Sequence, residues 1–212
     1  MRLILLGPPG VGKGTQASLL EARLNVKPLS SGVIFRTEIE SETELGRVAK
    51  SYVERGELVP NGITIEMMAK QIRSDEIRRR GFVLDGFPRT IRQAEALDQV
   101  LEQLQSPLDR VISIVIDDEV VVKRLSGRLS CTGCGEVYHV VNKPPRREGL
   151  CDKCNSPLFV RTDDQPDTIR ERLRVFKEQT APVVDYYAAK GLVRQVQGDK
   201  EPETIYQEIV AP

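Results

Sequence analysis

The sequence predicts a three-layer α/β protein, with a parallel β-sheet at its centre and helices covering both faces. Short apolar runs rich in β-branched residues recur at 2–6, 82–84, 111–116 and 192–196. Longer charged, helix-like stretches separate them, and βα alternation of this kind favours a parallel sheet whose ligands bind at the carboxyl ends of the strands. The first run also stops abruptly at Gly7-Pro8-Pro9-Gly10, a strand-to-helix turn.

The chain has 212 residues, 40% of them hydrophobic, which is enough for a substantial core. Its 31 Lys plus Arg balance 31 Asp plus Glu. No global positive field therefore draws it to nucleic acid or an anionic membrane, and any anion binding must be local. The run from Met1 to Leu6 is too short for the apolar region of a signal peptide. No stretch approaches the roughly 18 uninterrupted apolar residues of a membrane span. A soluble, cytoplasmic protein is expected, in a reducing compartment where paired cysteines bind metal more readily than they form disulfides.

Taken in order, the strand at 2–6 leads into a glycine-rich turn containing Gly10, Val11, Gly12, Lys13, Gly14 and Thr15, followed by a helix-like run from Gln16 to Arg23. This is the context of a phosphate-binding loop. Glycines let successive backbone N–H groups converge on phosphate oxygens, the helix N-terminus adds partial positive charge, and Lys13 can reach the β- and γ-phosphates. The hydroxyl residue that usually follows the lysine comes one place late, with Gly14 ahead of Thr15. Residues 31–60 are helix-like and lack a strand, so they read as an insertion. Phe82-Val83-Leu84-Asp85 is a second apolar strand ending in a carboxylate. If the two strands are neighbours, Asp85 lies near the phosphate loop and could hold magnesium through water; a turn or helix-capping aspartate is the alternative.

Residues 127–164 form a second irregular insertion that carries every cysteine, as Cys131-x2-Cys134-x16-Cys151-x2-Cys154. Four thiolates at this spacing suit a closed, tetrahedral, structural zinc site, with redox-active thiols as the alternative. His139, the only histidine, is expected on the surface because four cysteines already complete the coordination. Downstream, Ile169, Leu173, Phe176, Val183, Val184 and Tyr187 recur near helical spacing, which predicts a long amphipathic helix from about Asp167 with Pro182 as a kink point.

The phosphate loop and the run Asp85-Gly86-Phe87-Pro88-Arg89-Thr90, in this order and spacing, together resemble the adenylate kinase family, and the resemblance extends from residue 1 to the C-terminal helix. It implies a P-loop three-layer fold whose core spans 1–30, 61–126 and 165–212. Residues 31–60 become a helical AMP-binding insertion, and 127–164 a zinc-bearing lid. The implied reaction is reversible phosphoryl transfer from MgATP to AMP, giving two ADP. The acceptor would be held by Ser31, Arg36, Glu57, Leu58, Val59, Gly86, Phe87, Pro88, Arg89 and Gln93, with Arg161 and Arg172. ATP would lie on the phosphate loop, Arg128, Val137, Tyr138 and Lys200. Catalysis would fall to Lys13, Asp85, Arg89, Arg124, Arg128, Arg161 and Arg172. The implied cofactors are Mg2+ with ATP and structural Zn2+, and the expected state is a monomer without nucleic-acid or membrane partners.

Physical chemistry supports an arginine-rich site independently, since phosphoryl transfer depends on positioning two anions in line and neutralising their oxygens. Arginine stays charged and binds phosphate through a planar fork. One departure from the family pattern is Ser30-Ser31-Gly32-Val33 in place of Ser-Thr-Gly-Asp, which removes a carboxylate that would help to order magnesium's waters. Alternatives are a kinase for UMP or CMP, and a zinc-ribbon nucleic-acid-binding protein. A small-molecule kinase of the shikimate type has no use for Asp85 to Arg89.

Overall fold

In a computed structural model describing residues 1–211, eight strands divide between two sheets. They are β1 (Arg2–Leu6), β2 (Lys27–Ser30), β3 (Phe82–Asp85), β4 (Arg110–Val115), β5 (Arg128–Cys131), β6 (Val137–His139), β7 (Leu158–Phe159) and β8 (Val193–Gln197). The larger sheet is parallel, in the order β2-β3-β1-β4-β8. Around it lie α1 (Lys13–Leu24), α2 (Ser31–Glu40), α3 (Glu44–Arg55), α4 (Asn61–Ile72), α5 (Asp75–Arg80), α6 (Ile91–Gln103), α7 (Asp118–Ser126), α8 (Pro166–Val175), α9 (Ala181–Ala188) and α10 (Pro202–Val210).

The expected strands are all present, the small sheet of β5, β6 and β7 adds three more within 127–164, and β2 is an addition to the larger sheet. Its sequence, Lys-Pro-Leu-Ser, contains a proline and only one buried residue, as suits an edge position. Strand alternation generates the three layers. Leu3, Leu5, Val83, Ile112 and Ile114 face one side, packed with Leu20 of α1 and Ile205 and Ile209 of α10. Ile4, Leu6, Phe82, Leu84 and Val111 face the other, against Met68 of α4, Leu97 of α6, and Val183 and Tyr187 of α9. Each such side chain contributes about 1.5–3 kcal/mol by leaving water. Because strand order runs outward in both directions from β1, the crevice at its carboxyl end is the topological switch point where such sheets bind ligands.

Residues 31–60 contain α2 and α3 and no strand, as expected. Their starts are fixed by hydroxyl caps: Ser30 accepts from the Val33 N–H and Thr43 from that of Gly46. Beyond α7, β5 pairs antiparallel with β6 on one side and β7 on the other, giving a small sheet over the cysteines. The long helix begins at Pro166, and the chain accommodates Pro182 through a wider turn. Phe176–Thr180 is π-helical, with Ala181 N–H donating to Phe176 O. The extra residue re-registers the ladder just before the proline that cannot donate to it. No helix among the described residues is long and apolar enough to cross a membrane.

Candidate active site and cysteine centre

The glycine-rich loop occupies the switch point. Gly7 has φ +147, and a Cβ there would lie 2.4 Å from the carbonyl oxygen of Ile114, so only glycine lets the loop turn against β4. The helix α1 starts at Lys13 with Gly12 in the left-handed region. Lys13 Nζ donates to the carbonyls of Gly7 and Pro8, both at 2.8 Å, which bends the ammonium over the loop. Asp85, the last residue of β3, sits level with Leu5 of β1 and Ser30 of β2. That placement brings its carboxylate beside the loop, and it acts electrostatically on Lys13. Among the described residues it makes neither a hydrogen bond nor an ion pair, so both oxygens remain available to a hydrated cation.

A cleft opens next to the loop, lined by Ser31, Arg36, Glu57, Leu58, Val59, Gly86, Arg89, Gln93 and Arg172 among others. Ser31 Oγ donates to the Gly86 carbonyl at 2.6 Å, and Arg89 Nε donates to the same oxygen at 2.9 Å. Gly86 makes this convergence possible. It has φ +74, and a Cβ would meet Arg89 Nη2 at 2.7 Å and Ser31 Oγ at 2.8 Å. Any side chain there would push the two apart.

Cations gather where cleft and loop meet. Burial lowers Lys13 to about 8, opposed by Asp85 and reinforced by Arg89, Arg172 and Arg128. Burial is also the main cause that lowers Arg89, followed by the charge of Arg172. Arg36 is lowered by burial too, with Asp163 opposing and Arg128 and Arg172 adding to it. Arg161 is pushed down to about 9 by burial, Arg128 and Arg36, so it still carries its charge at neutral pH. The shared carboxylates are Asp85, Asp163 and Asp164, fewer than the six cations, so the cluster holds positive charge in excess. Its geometry is anchored by Asp164, which takes Arg128 bidentately at 2.7 and 2.6 Å and Arg172 at 3.0 Å. Arg161 Nε donates to Ser130 Oγ of β5 at 2.7 Å.

Arg124 reaches the phosphate loop from α7. Its guanidinium donates to Gly198 O at 2.9 Å and, less closely, to Val11 O at 3.4 Å. It thus ties the turn before Lys200 to the phosphate loop. Gly198 is itself packed on Val11, where a Cβ would fall 2.7 Å from Val11 Cγ2.

The four cysteine sulfurs all lie within 4.8 Å of one another. Cys131 and Cys154 are 3.3 Å apart and Cys134 and Cys151 3.6 Å apart, close to the edge of about 3.8 Å expected for a tetrahedron with 2.3 Å metal–sulfur bonds. The N–H groups of Gly133 and Cys134 point at Cys131 Sγ, and that of Lys153 points at Cys151 Sγ. Such bonds suit thiolates, so the donor set fits a divalent metal. Tyr138 is buried on β6 with its hydroxyl 3.5 Å from Cys151 Sγ.

A family model for adenylate kinase matches residues 5–192. The chain belongs to the adenylate kinase family. It is 48% identical over 210 residues to an adenylate kinase of Caldicellulosiruptor bescii, covering 99% of this chain and 97% of the relative. It is 46% identical over 211 residues to one of Acidothermus cellulolyticus and 44% identical over 211 residues to one of Archaeoglobus fulgidus, in each case covering 100% of this chain and 97% of the relative.

Among the residues that adenylate kinase resemblance singled out, nine acceptor positions line one cleft. Phe87, Pro88 and Arg161 do not. Phe87 is a core side chain, joined to Pro88 by a cis peptide bond. Val137 is exposed on β6, and Lys200 is paired with Glu208 at the surface. His139, expected on the lid surface, has both ring nitrogens engaged. Nδ1 faces the N–H groups of Val141 and Asn142 at 3.0 and 3.1 Å, and Nε2 faces Lys123 O at 3.3 Å. Four residues of the site went unread in the sequence. Phe35 and Thr64 line the cleft, and Asp163 and Asp164 counter the arginines. The available signal was the adjacent acid pair two residues after Arg161 and just ahead of a helix.

Proposed function

We propose that this chain catalyses reversible transfer of the γ-phosphoryl group of MgATP to AMP, yielding two ADP. One observation carries this. Arg89 and Arg172 both line the cleft and both act on Lys13 of the phosphate loop, so two anion sites share a cationic seam. Transfer between two phosphate ligands needs that arrangement. In the forward step a phosphate oxygen of AMP attacks the γ-phosphorus in line, the bond to the bridging β–γ oxygen breaks, and the electron pair stays on the departing ADP. Lys13 and the loop amides hold the donor's terminal phosphates. Arg36 and Arg89 hold the acceptor phosphate, with Gln93 and Ser31 beside the base. Arg128, Arg161 and Arg172 bridge the two and neutralise the transferring oxygens. Arg124 clamps the loop to the 198–200 turn, which holds the far end of ATP.

Asp85 would hold Mg2+ through water, and the ion would supply charge neutralisation between the phosphates. Cys131, Cys134, Cys151 and Cys154 would hold Zn2+ in a closed tetrahedron whose contribution is folding free energy for the surrounding segment. We assign residues 31–60 as the acceptor-binding insertion, 127–164 as the lid and the remainder as the core. The protein acts in the cytoplasm as a monomer, and its balanced charge gives it no affinity for nucleic acid or membrane. Testing AMP, CMP, UMP and GMP side by side with MgATP, and counting ADP produced, separates this reading from its nearest alternative. Preferred turnover of AMP supports it, whereas preference for a pyrimidine monophosphate overturns the acceptor assignment.

A further inference from the structure

Gln93 is only 2% exposed yet lines the cleft, and both ends of its carboxamide are held. The Arg89 backbone N–H donates to its Oε1 at 2.7 Å, and its Nε2 donates to Asn61 Oδ1 at 2.9 Å. A backbone N–H can only donate, so the atom facing Arg89 must be the oxygen. The nitrogen then needs an acceptor, and Asn61 provides it. Asn61 is oriented in turn by Thr90, which accepts the Gln93 N–H on its hydroxyl oxygen at 3.2 Å and so directs its own proton to Asn61 Oδ1 at 3.1 Å. One side-chain oxygen at the start of α4 thereby sets an amide in the first turn of α6.

We propose that Asn61 is a specificity-determining positioning residue: by fixing the orientation of the Gln93 carboxamide it selects a 6-aminopurine monophosphate over a 6-oxopurine one as acceptor. The inference rests on the acceptor assignment of the cleft. A carboxamide offers two N–H groups and two oxygen lone pairs. With one of each engaged, one N–H and one lone pair remain for a base, a pair that matches the ring nitrogen and amino group of adenine. A 6-oxopurine presents a carbonyl and a ring N–H, which requires the amide turned over. Turning it sets the Arg89 N–H against the Gln93 nitrogen and Asn61 Oδ1 against the Gln93 oxygen. Each lost buried hydrogen bond shifts such an equilibrium on the order of 10- to 100-fold. The Arg89 contact is backbone and survives substitution. The Asn61 contact does not.

Initial rates with MgATP and either AMP or GMP, measured for the unaltered chain, Asn61→Ala and Asn61→Asp, test this. Asn61→Ala should raise KM for AMP and reduce the AMP-over-GMP ratio of kcat/KM by about 10-fold, with kcat and KM for ATP unchanged. Asn61→Asp keeps an acceptor oxygen and should keep the ratio. If Asn61→Ala does not fold, Asn61→Gly, which also removes the acceptor oxygen, carries the same expectation. An unchanged ratio in the alanine or glycine variant, an equal rise in KM for both substrates, or a ratio in Asn61→Asp as low as in alanine overturns the proposal. Transfer to AMP by the unaltered chain is scored separately: its absence removes the acceptor assignment and this inference together, whereas its presence with an unchanged ratio removes this inference alone.

Discussion

Replacing Asp164 with alanine asks whether the arginine network is held by its buried counter-charges. The Asp164 side chain is 0% exposed, and its partners Arg128 and Arg172 are 15% and 18% exposed. Truncation leaves two largely buried guanidinium groups with Asp163 as the nearest remaining carboxylate. Removing one partner of a buried pair costs about 3–5 kcal/mol. In a chain of this length each kcal/mol corresponds to about 2–4 °C, so even the lower figure predicts a fall of about 6–12 °C in melting temperature. Thermal unfolding of the unliganded protein, followed by circular dichroism at neutral pH, measures it. Arg170→Ala is the comparison, because it breaks an Asp167–Arg170 pair at 2.8 Å whose side chains are 98% and 74% exposed. Solvent already screens that pair, and melting should hold. A shift for Asp164→Ala below about 2 °C, or an equal fall for both variants, would refute the premise that burial and not distance sets the strength of these pairs.

Lys13→Ala and Arg89→Ala should each lower kcat/KM for ATP plus AMP at least about 100-fold with folding retained, while exposed Arg146→Ala should change little; normal turnover by either of the first two contradicts their roles. Since Lys13 is lowered to about 8 from 10.5 and acts as its ammonium, kcat/KM for ATP should fall as pH rises through about 8, and a profile flat to pH 10 would remove that assignment. Cys151→Ser should lower thermal stability and zinc content while leaving activity measurable well below the melting transition, and a protein isolated with its cysteines disulfide-bonded would end the zinc reading.

The central strands were legible because they are buried on both faces, and such strands read as nearly continuous apolar runs, as in Leu3 to Leu6 and, broken only by Ser113, Val111 to Ile114. β2 was not, since an edge strand with a proline lacks that signature. The phosphate loop and the cysteines were readable from spacing, because backbone approach and metal geometry constrain residues close in sequence. Asp163 and Asp164 were missed for the opposite reason. Two acids ahead of a helix read as a solvated N-terminal turn, and only the packing of their turn, Thr162–Asp164, against α3 and α8 and the pairing with Arg128 and Arg172 bury them. Arg124 shows the same limit. Its residue type says cation, but Gly198 and Val11, which fix its position, are far away in sequence.

The central claim is that one cationic seam serves two nucleotide sites and exchanges a phosphoryl group between them in either direction. Incubating the unaltered chain with magnesium and ADP alone, and separating the nucleotides over time, tests this most directly. The account predicts ATP and AMP formed in equal amounts from two ADP, abolished in Arg89→Ala. Release of inorganic phosphate without ATP, or no conversion by a folded, metal-replete chain, would contradict it.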